Sequence, residues 1–245
     1  MSQTVVGRRK VYLSTQVDDM HLESDIYSPA GNTFRIRTSD LTAHKSWQSG
    51  LNSRLPSGSS YFMEIAHNGN GDIEYATNTN QGPQRCNPQY AVEYDSPPDT
   101  ALEFQKPLGT GTDLWDPEWV NYPWSTQCAA LDPVASWFTT ASNRDAFAHL
   151  SHTFTHEELN NATYRDANLE IKFNIAWLKQ IGIWNGNKFS STGLVPPAIT
   201  GLHNGDAIKA WMDNGIKYVV GDNTRPVLRN AVRTTQPRID LPFGG

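Results

Sequence analysis

Ala146-Phe147-Ala148-His149-Leu150-Ser151-His152-Thr153-Phe154-Thr155 opens the stretch that decides the fold, and the pattern it starts runs on to Val220. Phe147, His149, Ser151 and Thr153 alternate with Ala148, Leu150, His152 and Phe154, the period of two that a strand requires. Thr163 followed by Asp166 gives a capping-box-like start to a helix over Tyr164–Ile181. Within it Leu169, Phe173, Ala176, Trp177 and Gln180 fall mostly on one face, with Lys172 and Lys179 elsewhere, and Gly182 is a left-handed stop. A strand near Gly193–Thr200 follows, then a helix from Asn204 to Asn214 stopped by Gly215, then an apolar run, Ile216–Val220, that reads as a buried strand. This strand–helix–strand–helix–strand alternation predicts an α/β fold, a parallel sheet with helical cover.

Towards the amino terminus, Val11-Tyr12-Leu13-Ser14-Thr15 reads as a strand ending at Asp18-Asp19. Ser39 or Asp40 is the expected cap of a helix through Trp47 and Leu51, and Tyr61–Ala66 reads as a further strand. From Asn68 to about Asp132 Gly, Asn, Pro and Asp crowd together, in Asn68-Gly69-Asn70-Gly71-Asp72, Asn80-Gln81-Gly82-Pro83 and Ser96-Pro97-Pro98-Asp99. A loop-rich insertion of this length is expected to be functional or a small excursion of its own. Its Trp115, Trp119 and Trp124 suit either stacking on sugar rings or filling a hydrophobic patch. Cys86 and Cys128 are either two idle thiols or one disulfide pinning the irregular segment, which requires an oxidising compartment. Asn68–Asp72 mimics the start of a calcium loop, but Thr79 stands where the closing glutamate belongs.

The 245 residues fit one domain of the barrel or large α/β kind. Hydrophobic residues make up 38%, charged residues 18% and aromatics 11%, enough for a real core. A net charge of -5 argues against nucleic acid as a partner, because phosphate neutralisation needs a basic face. Arg8-Arg9-Lys10 reads as a solvated lead-in to the first strand. Apolar runs fall far short of the roughly 20 residues of a membrane helix. No secretion signal opens at Met1, so an extracellular or cell-wall location is expected only for a fragment of a longer secreted protein. The glycosylation pattern Asn161-Ala162-Thr163 leans the same way. Gly-rich phosphate loops and nucleophile elbows are absent from the sequence.

Two places concentrate metal-binding side chains. In Thr15-Gln16-Val17-Asp18-Asp19 two carboxylates adjoin a strand end, and only a turn there lets both reach one site. In His152-Thr153-Phe154-Thr155-His156 two imidazoles four apart fall on one side of a strand or helical turn. One carboxylate with two imidazoles suits a divalent transition metal and leaves positions open for water and substrate. Each half alone also has an ordinary reading, in a turn or in hydrogen-bonded structure. Their joint position after strands of an α/β chain favours a site, since parallel α/β folds place sites at strand carboxyl ends. His149 reads as strand packing, and His21 is left open.

These two segments resemble the first two motifs of the polysaccharide deacetylases with a nodulation-protein-B homology domain. With Ser14–Asp25, the long insertion and Tyr218-Val219-Val220-Gly221-Asp222-Asn223-Thr224-Arg225-Pro226, the chain resembles still more the fungal deacetylases acting on galactosaminogalactan. The resemblance implies metal-dependent N-deacetylation of an amino-sugar polysaccharide on a distorted (β/α) barrel, a single catalytic domain over residues 1–245. By position, Asp19, His152 and His156 would hold the metal, Zn²⁺, and Asp18 would be the general base that takes a proton from the attacking water. Asp222 would correspond to an orienting aspartate, with Arg225 standing in for the arginine that the family places beside its prolines. Leu194-Val195-Pro196-Pro197 carries the prolines without that arginine. The family's late histidine has no counterpart, since His203 is the last histidine, and its place before a helix suits a capping or surface role. The Arg233–Gly245 tail carries no strand pattern, so the barrel is expected to be cut short at its carboxyl end. Two other classes are weighed against this one. One is a carbohydrate-binding relative without chemistry that uses the tryptophan-rich insertion. The other is a glycoside hydrolase, which adjacent carboxylates beside a histidine pair fit poorly.

Overall fold

The computed structural model describes residues 13–79, 85–93, 97, 100–101 and 104–221. In chain order the elements are β1 (Gln16–Val17), β2 (Ser24–Asp25), β3 (Thr33–Phe34), α1 (Thr38–Asn52), β4 (Glu64–His67) and α2 (Gly69–Thr79). Then come the short helices α3 (Thr126–Ala129), α4 (Pro133–Phe138) and α5 (Ala141–Arg144), followed by β5 (Ala148–Ser151), α6 (Tyr164–Gln180), β6 (Phe189–Leu194), α7 (Gly205–Asp213) and β7 (Tyr218–Val219). β1, β4, β5, β6 and β7 form one sheet in that order, every pairing parallel. Each strand joins the sheet beside its predecessor, always in the same direction. That is the order of a barrel wall; a doubly wound sheet reverses direction midway. The fold is thus a curled parallel half-barrel with helices, as the α/β reading expected.

Local signals explain most helix ends. Thr163 accepts the amide of Asp166 at the start of α6, and Asn204 accepts those of Asp206 and Ala207 at the start of α7. Gly182 and Gly215, both at φ 86°, follow the two helices in the left-handed conformation. The expected cap of α1 shifts. Asp40 lies inside the helix and its carboxylate accepts the amide of Arg37, which precedes the first turn. The central strands pair over Glu64↔Ala148 to His67↔Ser151. Both are buried except at their first residue, as a parallel sheet covered on two faces requires.

Four expectations are corrected. The first strand, expected over Val11–Thr15, is Gln16–Val17, and Leu13–Thr15 are not strand. Gly69–Asp72 begins helix α2 and is not loop, with Asn68 just before it. Its glycines serve close packing: a Cβ on Gly69 would lie 2.8 Å from the Phe154 ring, and one on Gly71 would lie 2.7 Å from the carbonyl of His21. The strand placed at Gly193–Thr200 is β6, which begins at Phe189 and stops at Leu194, before Pro196 and Pro197. Ile216–Val220 is not a buried strand. Only Ile216 is buried, against the α6–α7 cluster, while Tyr218 and Val219 are exposed on the last strand of the described sheet.

The insertion joins the main core. Trp115, Trp119 and Trp124 pack with Phe154, Phe173 and Trp177 in one apolar cluster that also takes in Ile65, Ile73 and Phe138. A disulfide links Cys86 to Cys128, 42 residues apart, and closes the insertion on itself at α3. Several expectations fall outside the described residues. They are Arg8–Lys10, the first two residues of Val11–Thr15, Asn80–Pro83, most of Ser96–Asp99, Asp222, Arg225 and the Arg233–Gly245 tail.

Candidate metal centre and active site

β1 ends at Val17, and the chain turns at once. Asp19 has φ 51°, and its carbonyl accepts the amide of Leu22 at 2.9 Å. That turn brings both carboxylates to one place, 3.8 Å from His152 Nε2 for Asp18 and 3.2 Å for Asp19. β5 ends at Ser151, and His152 follows with its ring buried. Its Nδ1–H donates to the carbonyl of Val195 at 2.7 Å, just beyond β6. That bond fixes the tautomer and leaves the Nε2 lone pair facing Asp19. His156 Nε2 lies 3.5 Å from the same Asp19 oxygen, and the two imidazoles meet edge to face at 4.9 Å.

Donor atoms from Asp19, His152 and His156 all lie within 4.8 Å of one another. Asp19 Oδ1 and His152 Nε2 are both buried without a hydrogen-bond partner. Two buried polar atoms pointed at each other and unsatisfied are costly, and a cation between them removes the cost. Two imidazoles and one carboxylate are also the donor set of open Zn²⁺ sites. The residues present fit a divalent metal. The local charges agree. Burial acts to raise the Asp19 carboxyl, but His152 and His156 more than offset it and hold it below the usual carboxylate range. Burial depresses His156 and favours the neutral, ligating imidazole.

The ligand turn carries backbone strain. Thr153, a β-branched residue, has φ 65°, and His156 has φ 69°. Each such conformation costs about 1–3 kcal/mol and persists only where the surroundings over-determine it. On one side Asn68, directly after β4, donates through Nδ2 to the carbonyl of His152. On the other, Glu170 of α6 accepts the amides of Phe154 and Thr155. Asn68 drew notice only as the start of a calcium-loop-like run, and Glu170 did not stand out in the sequence. The available signal was a carboxylate inside the apolar face of α6, three positions before Phe173 and seven before Trp177. Beside it Glu157 is fully buried, and burial together with the Glu170 carboxylate pushes its carboxyl up to about 10.

Of the other expected residues, the three tryptophans do not reach a surface where sugar stacks. Trp115, Trp119 and Trp124 are 1%, 6% and 2% exposed. They underlie the ligand turn: Trp124 stacks on Phe154 with ring centres 6.0 Å apart, and Trp115 Nε1–H donates to Glu170 at 3.0 Å. Asp222 and Arg225 lie outside the described residues. His203 is exposed before the cap of α7.

His21, which the sequence left open, starts a buried chain of imidazoles. His21 Nε2 lies 3.1 Å from His67 Nδ1, His67 Nε2 lies 2.9 Å from His149 Nδ1, and His149 Nε2–H donates to the carbonyl of Arg144 at 2.7 Å. At the other end Asp132 pairs with Arg35 and lies 3.6 Å from His21 Nδ1. His149 is therefore packed within the sheet, away from the ligand set.

No curated protein matches the chain. The crystal structure of Agd3, described as a novel carbohydrate deacetylase, matches at 57% sequence identity with a TM-score of 0.87, over 92% of this chain and 34% of that one. The chain spans about a third of the length of that structure. The family described as the Agd3 deacetylase domain matches residues 13–240, so the chain belongs to that family.

Proposed function

We propose that this chain hydrolyses the acetamide of an N-acetylated amino-sugar polymer, of the N-acetylgalactosamine or N-acetylglucosamine type. The observation that carries the reading is the convergence of Asp19, His152 and His156 with Asp18 beside them. Family membership and the Agd3 structure support the acyl-transfer chemistry. Asp19, His152 and His156 would hold a divalent metal, with Zn²⁺ favoured by the nitrogen-rich donor set. When bound, the metal supplies Lewis-acid activation of water and of the acetamide carbonyl.

Asp18 does the proton work. Its carboxylate is 57% exposed, against 1% for His152, so it borders solvent and substrate while the imidazole stays fixed. It takes the proton of a water whose oxygen bonds to the acetamide carbon. The C–N bond then breaks, and the Asp18 carboxyl is the group placed to return that proton to the departing amine. The products are acetate and a free amino sugar. Asp19 and His156 are also partly exposed, so the site lies open enough to receive a residue within a chain. The Cys86–Cys128 disulfide supports an oxidising, extracellular or cell-wall location. Burial of the three tryptophans removes the surface on which a purely carbohydrate-binding reading depended.

The test has two parts, metal content by elemental analysis and acetate release from a partly acetylated amino-sugar oligomer. Metal together with acetate is the expected result. Reducing ends without acetate would point instead to glycosidic cleavage, and neither metal nor acetate would end the proposal.

A further inference from the structure

Between the two imidazoles the chain turns through Thr153, Phe154 and Thr155, and groups distant in sequence hold the peptide units of that turn. Glu170 Oε2 accepts the amides of Phe154 at 2.8 Å and Thr155 at 2.9 Å, while Oε1 accepts the Thr155 hydroxyl and the Trp115 indole N–H. Opposite it, Asn68 holds the carbonyl of His152, and the amide of Asn70 donates to the carbonyl of Phe154 at 2.9 Å. One helical turn after Glu170, Asn174 donates to the carbonyl of His67 and to Ser151 Oγ, and accepts the amide of Gly69. Positions i and i+4 of α6 thus grip the ends of both central strands. The Asn68–Asp72 run is the other half of the socket, its Gly69 admitting the Phe154 ring.

A single carboxylate receiving two adjacent amides is a rigid, charge-assisted fork. Here it falls on the two peptide units between the strained residues Thr153 and His156. Without it, the turn loses the contacts that hold it in a conformation the backbone disfavours.

We propose that Glu170 is a positioning residue: by holding the amides of Phe154 and Thr155 it makes His152 and His156 converge with Asp19, and so sets the metal affinity of the site. The proposal rests on Asp19, His152 and His156 being the metal ligands. Glu170 acts through the turn and touches neither the imidazoles nor the Asp19 carboxylate.

The test is Glu170→Gln, isosteric but with one acceptor oxygen fewer. Zn²⁺ affinity is measured by competition with a chromophoric chelator, and ligand geometry from the visible bands of the Co²⁺-loaded chain. The expected result is a roughly 10- to 100-fold loss of affinity, with altered Co²⁺ bands and an unchanged far-ultraviolet dichroism spectrum. Parental affinity with parental bands overturns the proposal. A parent chain that binds neither metal overturns the ligand assignment itself, and this proposal with it. Should the E170Q chain not fold, Thr155→Val and Thr155→Ser decide: weaker binding in the valine variant with recovery in the serine variant supports the role, and equal binding in both ends it.

Discussion

Nε2 of His152 lies 3.2 Å from Oδ1 of Asp19, and both atoms are buried without a hydrogen-bond partner. A proton or a cation between them would satisfy both, and the proposed reading takes the cation because His156 is within reach of the same oxygen. His152→Ala is therefore expected to lose bound metal, while His203→Ala, exposed on the surface, binds like the parent. Elemental analysis after gel filtration reads both. Metal retained at parental stoichiometry by the His152 variant would show the ligand set to be misassigned.

Asp18 and Asp19 are neighbours to which the proposed function gives different duties. Asp19 lies between the imidazoles, whereas Asp18 approaches His152 only to 3.8 Å and is the more exposed. Asp18→Asn keeps the shape and removes the proton acceptor. The variant should bind metal normally and lose acetate release by roughly 10²–10⁴-fold, the usual contribution of a general base. A variant that loses metal as completely as His152→Ala would place Asp18 among the ligands.

Trp119 stacks on Trp124 with ring centres 5.3 Å apart, inside the core. Trp119→Leu leaves an apolar side chain too small for the space. Thermal unfolding should show a loss of about 2–4 kcal/mol, the scale of a large-to-small core change. The dissociation constant for an amino-sugar oligomer should not move. A large rise in that constant with unchanged melting temperature would put the ring on the sugar after all.

What the sequence made legible was local. The Thr163 and Asn204 caps, the left-handed stops at Gly182 and Gly215 and the apolar face of α6 each follow from neighbours a few residues apart. The four proposed site residues Asp18, Asp19, His152 and His156 drew notice because chemistry restricts which side chains stand after strand ends, and the structure brings them together. What escaped was set by distant partners. Gly69 and Gly71 look like helix breakers until Phe154 and His21 are seen against them. Glu170 lies on the apolar face of α6 with no reason visible in the sequence until the amides of Phe154 and Thr155 are seen to bond to it. The tryptophans left two readings open, a sugar platform or a hydrophobic patch, because aromatic content does not say which way a ring faces; the core takes them. Tyr218 and Val219 read as buried from their apolar run, yet burial depends on whether another element lies beside the strand.

The imidazole chain gives the fold a pH dependence whose sign can be worked out. Burial lowers His149 from the ordinary histidine value of 6.5 to about 4, although the carbonyl of Arg144 acts the other way. Burial and the adjoining imidazoles of His149 and His21 depress His67 well below the ordinary histidine value. Between pH 6.5 and about 4 the unfolded chain takes up protons at these positions that the folded chain refuses, so stability falls as pH falls through that window. For His149 the slope approaches about 1.4 kcal/mol per pH unit at most. Urea midpoints taken from pH 7 down to 4.5 should decline accordingly. His149→Gln can still donate to Arg144 and accept from His67, but does not titrate. Its midpoint should decline less steeply than the parent's. Parallel slopes for the two chains would mean that His149 takes up its proton as readily in the fold as in the unfolded chain, and that the acid sensitivity arises elsewhere.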